Sequence, residues 1–166
     1  MRALLSTWVL RRPSHSRRDT RLLHQLKNRS VPVISSLWTG RKINYYSAIY
    51  IGHVRVTTVD FAHGKQTDDS SVIVSINGIE HFAVVQEIFS VDEQHSFLQV
   101  RCLSNSRPFV CSTKQSRFAL QSIQQGSMGN QCLVPSSNFV EKCVRIDHRA
   151  PLSVTFLRFP ELYDTS

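Results

Sequence analysis

Ser71-Val-Ile-Val-Ser-Ile76, Asn77-Gly78 and Ile79-Glu-His-Phe-Ala-Val-Val-Gln-Glu-Ile-Phe89 form the stretch on which the fold turns. Two runs rich in β-branched and aromatic residues flank a dipeptide that tolerates positive φ, the composition of a type I′ two-residue hairpin turn. Such a turn fixes the register, setting Ile76 opposite Ile79, Val74 opposite His81 and Val72 opposite Ala83. Alternation then puts Val72, Val74, Ile76, Ile79, Ala83 and Val85 on one face. Ile73, Phe82, Val84 and Ile88 fall on the other with Ser75, Glu80 and Gln86. Both faces are partly apolar, so the hairpin is expected at the centre of the domain with material packed on each side.

Strand texture extends outward from it. Upstream, Ile43 to Val59 is dense in tyrosine, isoleucine, valine and threonine, with Gly52 as a turn, and Ala62 to Ser71 reads as a polar loop. Downstream, Asp92 to His95 is a turn, and Leu98, Val100 and Cys102 alternate with Gln99 and Arg101 as a half-buried strand broken by Pro108. Phe109 to Ser112 and Phe118 to Ile123 read as short strands, and Gln124 to Gln131, with Gly126 and Gly129, as the most flexible stretch. Cys132 to Ile146 predicts a strand, a helical turn from about Ser137 and a second strand with Val144 and Ile146 inward. A last strand, Ser153 to Phe159, ends at Pro160. Ten or so short strands without a long helical pattern predict a mainly β domain over 43–163, a small barrel or rolled antiparallel sheet.

The charge is divided unevenly. Residues 1–42 carry ten basic side chains against one acid, Asp19, a net +9, while the other 124 residues hold ten bases and eleven acids. The basic character therefore describes an N-terminal arm and leaves the domain near neutral. In the arm, Ser16 to Asp19 has the spacing of a capping box, and Leu22, Leu23 and Leu26 share one helical arc, predicting a short basic amphipathic helix over about 16–28 in an otherwise poorly structured segment. Three readings stay open for the arm: a mitochondrial transit peptide, a plain disordered arm, or a surface for nucleic acid. For the last, the candidate contacts are Arg11, Arg12, Arg17, Arg18, Arg21, Lys27 and Arg29, giving weak, sequence-independent binding. The apolar run Ala3 to Leu10 has eight residues, well short of the roughly 20 needed to span a bilayer.

Chemistry is sparse. The four cysteines, Cys102, Cys111, Cys132 and Cys143, lack the close spacing of a zinc knuckle and read as reduced, mostly packed thiols. There is no phosphate-binding glycine loop, nucleophile elbow, His-Glu-x-x-His or dinucleotide fingerprint, so neither catalysis nor a cofactor is expected. Cys143 and His148 leave a strand from opposite faces, a poor metal pair, and His81 reads as a packed or rim histidine. Tyr45, Tyr46 and Tyr50 could stack bases or a peptide, although tyrosines in strands more often cover the core.

The segment Asp69 to Phe89, followed by Leu133-Val-Pro-Ser-Ser-Asn-Phe-Val-Glu-Lys-Cys-Val-Arg-Ile146 and Phe159-Pro-Glu-Leu-Tyr163, resembles the β-rich C-terminal tail module of transposon-derived, uncharacterised animal proteins. That module is similar in layout to bromo-adjacent homology (BAH) domains. The resemblance covers residues 43–163, rests mainly on apolar strand positions, Asn77-Gly78 and Lys142-Cys143, and carries no functional residue across. It implies a non-enzymatic interaction module of the chromatin-associated or transposon-derived kind with a protein partner for the β domain, and an intracellular location open between nucleus and mitochondrion. The arm supports a different expectation, a small mitochondrial protein with a cleaved transit peptide. A decayed reading frame without selected function is the third.

Overall fold

The computed structural model describes residues 20–26, 40–65, 67–112, 117–148 and 153–158. These form nine strands: β1 (Thr20–Leu26), β2 (Ile43–Ile51), β3 (Val54–Thr57), β4 (Ser71–Ile76), β5 (Ile79–Val91), β6 (His95–Ser112), β7 (Arg117–Pro135), β8 (Phe139–Asp147) and β9 (Val154–Arg158). One helical turn, α1 (Val59–Ala62), follows β3, and a 3-10 turn at Ser136–Asn138 joins β7 to β8. The chain is therefore mainly β, as its sequence predicts.

The quoted hairpin has the expected register, Ile76 against Ile79 through Val72 against Ala83, with Asn77 at φ 51° and Gly78 at φ 79° in the turn. It belongs to an antiparallel ring that runs β5, β4, β8, β9, β7, β6 and closes by pairing of β6 with β5. β2 joins the far half of β5, from Ile43 against Val91 to Tyr46 against Ile88, and carries β1 and β3.

Each face of the hairpin meets its own core, which explains its double apolar pattern. Ile73, Val84, Leu103, Cys143, Val154 and Phe156, with Phe82 and Met128, form a cluster to which all six ring strands contribute, so this is the cluster the ring encloses. Val72, Val74, Ala83, Val85, Val100 and Leu98 face the other way and pack with Ile49, Ile51 and Val56 from β2 and β3. Burial of each such large side chain contributes roughly 1.5–3 kcal/mol. Ile88 joins this second core, on the face opposite to the predicted one. A register shift between Val85 and Glu87 inserts an extra residue, and a bulge reverses the alternation beyond it. Phe89 accordingly packs between Tyr45, whose ring is tilted to it, and Phe97, on which it stacks, in a third cluster.

Four other expectations are corrected. Thr20–Leu26 is a strand and not part of a helix over 16–28: it pairs antiparallel with β2, from Thr20 against Ile51 to Leu26 against Tyr45. Leu22 there packs on the second core while Arg21 is exposed, so pairing with a β partner outweighs a weak local helical pattern. Gln124–Gln131 lies inside β7, not in a flexible loop, because its glycines mark close approach of backbones. A Cβ at Gly126 would sit 2.4 Å from the Ser104 carbonyl oxygen and one at Gly129 would sit 2.8 Å from Ser104 Cβ. Pro108 does not end β6, which passes it at a register shift, so β6 and β7 are long strands of 18 and 19 residues. Val144 and Ile146 face outward, 38% and 46% exposed, and Cys143 is the buried residue of β8.

Candidate functional site

The ring has a split. β5 pairs with β4 along its whole start, from Ile79 onward, but its pairing with β6 begins only at Ala83 against Cys102. Beyond Cys102, β6 runs away from β5 with β7 as its ladder partner, through register shifts and Asn105 at φ 50°. In the β4–β5 ladder, residues of β5 point their N–H and C=O alternately to each side, so Glu80 and Phe82 present theirs toward the gap. The gap holds a cavity of about 240 Å³ lined by Ile73, Glu80, His81, Phe82, Leu103, Ser106, Gln124 and Arg158. Its floor, Ile73, Phe82 and Leu103, belongs to the ring cluster, with Phe82 half-buried and the other two buried, and Phe156 packs on Phe82 with ring centroids 5.5 Å apart.

The rim is set by Arg158. Its Nη1 donates to Glu80 Oε2 at 2.8 Å and its Nε donates to Glu141, tying β9 to β5 and β8. Burial works to lower the Arg158 pKa, yet the hydrogen bonds and charges of Glu80 and Glu141 outweigh it and raise it. One guanidinium thus serves two carboxylates, Glu80 on the cavity lining and Glu141 outside it. Ser106 Oγ donates to Gln124 Oε1 at 2.7 Å across β6 and β7, fixing the opposite wall.

A second polar cluster lies where the loop before β4 enters the ring. Asp68 accepts from the Ser70 N–H at 2.9 Å, from Ser70 Oγ at 2.5 Å and from Ser71 Oγ at 2.8 Å, with Arg145 3.9 Å away. Burial pulls its pKa up, but the Ser70 and Ser71 hydrogen bonds and the Arg145 charge prevail and hold it below the ordinary carboxylate range. Asp69 pairs with Lys142 and lies 4.0 Å from Arg55, while Arg145 Nε also reaches Asp147 at 3.2 Å. Every carboxylate of this cluster thus has a basic neighbour, an arrangement that holds the loop on β8.

Of the residues singled out for nucleic acid, Arg21 alone is described. It is exposed on β1 with its guanidinium 5.1 Å from the Tyr50 ring centroid. Arg11, Arg12, Arg17, Arg18, Lys27 and Arg29 lie outside the described residues. The three tyrosines do not share one open surface: Tyr45 is buried against Phe89, Tyr46 is half-buried near Ser90, and Tyr50 sits under Arg21. His81 lines the split as a half-buried rim residue. Cys143 is buried while His148 is exposed and meets Thr155 Oγ1 at 2.7 Å, so the two are not a shared site. Among the described residues no group of three His, Cys, Asp or Glu is placed to hold a metal, and no helix is long and apolar enough to cross a membrane.

The sequence reading did not find the split. Its only local signals are Asn105 and Pro108 within a run of strand texture, which mark where β6 bends away from its neighbour. No family model, curated protein or solved structure matches this chain.

Proposed function

We propose that the chain is a non-enzymatic interaction module whose β domain takes an extended segment of a protein partner into the split between β5 and β6. The observation that carries this reading is the side of β5 at Glu80 and Phe82 that no strand pairs among the described residues, set beside an apolar floor and a charged rim. Addition of a strand to such an edge gives main-chain hydrogen bonds, while the pocket selects alternate side chains of the segment. An apolar side chain fits the floor of Ile73, Phe82 and Leu103, and a polar one suits the rim where Glu80 and Arg158 meet. A chromatin-associated or transposon-derived role belongs to the same proposal, as what the resemblance of residues 43–163 implies.

Photo-crosslinking in cells tests the site, with the probe placed in turn at His81, Ser106 and Lys65, the last being exposed and outside the lining of the split. Adducts to the same partner peptide from His81 and Ser106, lost in Phe82→Lys and absent at Lys65, are the expected result. Equal adducts at Lys65, or none at the split, would remove the reading.

A further inference from the structure

Cys102 and Cys132 stand on neighbouring strands and on one face of the sheet, since Val100 pairs with Cys132 and Cys102 is the next residue of that face along β6. Their sulfurs lie 3.2 Å apart, and both side chains are half-buried at the margin of the core under β2 and β3. The ladder shifts register between Arg101 and Leu103, a bulge that brings these diagonal positions together. A disulfide needs a sulfur separation of about 2.05 Å, so bonding asks for a closure of roughly 1.1 Å, within reach of small side-chain rotations. Cys143, by contrast, is buried in the ring cluster.

We infer that Cys102 and Cys132 are a covalent modification site, an intrachain disulfide formed by exchange with a small-molecule disulfide. The Cys132 thiolate attacks one sulfur of the small disulfide, forms a mixed disulfide and expels one thiolate. Cys102 then loses its proton, attacks the Cys132 sulfur and expels the second. Two protein thiols become one disulfide, and the small disulfide is reduced to two thiols. Burial first, and then the hydrogen bond and charge of Cys132, push the Cys102 thiol up to about 12, so exchange through this pair should quicken as the pH is raised.

Cys102 is also the last β6 residue paired with β5, against Ala83. The bond therefore staples β6 to β7 where the split begins, and fixes the root of the ladder that runs from Leu103 against Met128 to Ser112 against Arg117. This inference rests on the thiol geometry alone and does not depend on what occupies the split.

The test uses the full chain as wild type and as Cys111→Ser, treated with glutathione disulfide under native conditions, with thiol counting and peptide mapping. In the Cys111→Ser protein, the two thiols of Cys102 and Cys132 should vanish together without retained glutathione. Their peptides should appear cross-linked and Cys143 should stay free. Cys102→Ser should instead hold a stable glutathione adduct on Cys132. Amide exchange over 103–131 should slow several-fold on oxidation and recover with reductant. Stable glutathione on both cysteines, dimers linked through either one, or thiols that react only after denaturation would overturn the inference. Peptide mapping of the wild type alongside keeps the result independent of how the Cys111→Ser variant folds.

Discussion

Two glycines are held by different physics, and alanine at each separates the reasons. At Gly78 the φ is +79° and an added Cβ meets nothing within 4 Å, so the cost of Gly78→Ala is left-handed backbone strain alone, about 1–2 kcal/mol. Asparagine tolerates that conformation, so Gly78→Asn should restore most of the loss, while the β-branched Gly78→Val should be the worst of the three. At Gly126 no positive φ is involved, but the new Cβ would lie 2.4 Å from the Ser104 carbonyl oxygen and 3.1 Å and 3.2 Å from Leu103 Cδ1 and Cγ. Because the nearest obstacle is backbone, relief to an ordinary contact of about 3.4 Å asks β6 and β7 to part by roughly 1 Å where Leu103 and Met128 enter the ring cluster. Overpacking of this kind costs about 1–3 kcal/mol, with the upper half expected here, and Gly126→Asn should be worse than Gly126→Ala. At about 2–4 °C per kcal/mol for a domain of this size, thermal melts resolve both effects. A melting point for Gly126→Ala within about 1 °C of wild type, or a Gly78→Asn protein as unstable as Gly78→Val, would refute the reasoning.

Other perturbations bear on the arm and the ionic clusters. Removing residues 1–42 strips β1 from β2 and exposes the Leu22 contact, so the β domain should stay folded but melt a few degrees lower; a truncated chain that unfolds completely would place the domain boundary upstream of β1. The same truncation should abolish any charge-driven binding to duplex DNA, and the full chain should lose affinity with salt at a slope of about −0.9 per phosphate contacted. Salt-insensitive binding by the truncated domain, measured by fluorescence anisotropy, would contradict this. Asp68, depressed in the folded state, contributes stability that is present above its unfolded pKa and lost as pH falls through the lower folded value. Asp68→Asn should therefore lower stability at neutral pH and flatten its decline below about pH 4; identical acid melts of the two proteins would exclude that role.

The parts of the fold that could be read from sequence are those decided within a few residues. Asn77-Gly78 dictated the central register because the turn is a property of two residues, and the 3-10 turn at Ser136–Asn138 followed a proline. Misreadings arose wherever a distant strand decides the outcome. Leu22, Leu23 and Leu26 suit a helical arc, yet Thr20–Leu26 lies beside β2, and nothing in the heptapeptide announces that partner. Gly126 looks like a loop glycine until Ser104 is seen against it, and the turn of Ile88 onto the second core depends on a bulge at Gln86 that leaves no mark in composition. The split is hidden for the same reason, since it is defined by where one ladder stops. The cysteines read as isolated packed thiols because Cys102 and Cys132 are thirty positions apart in sequence and meet only through the β6–β7 ladder.

Closure of the ring sets an order on folding during synthesis. The β4–β5 and β6–β7 pairs, and the β5–β6 turn, join neighbours in sequence and can form as soon as they are made. The far edge of β4 has to wait for β8, whose Glu141 and Lys142 pair with Ile73 and Val72. At translation rates of about 5–20 residues per second, the interval between completing β4 and completing β8 is roughly 4–14 s. Throughout it, Val72 and Val74 lie on a strand with one open side, the condition under which nascent β proteins pair with the wrong chain. Nascent chains halted before β8 should therefore depend on chaperones more than those halted after β9.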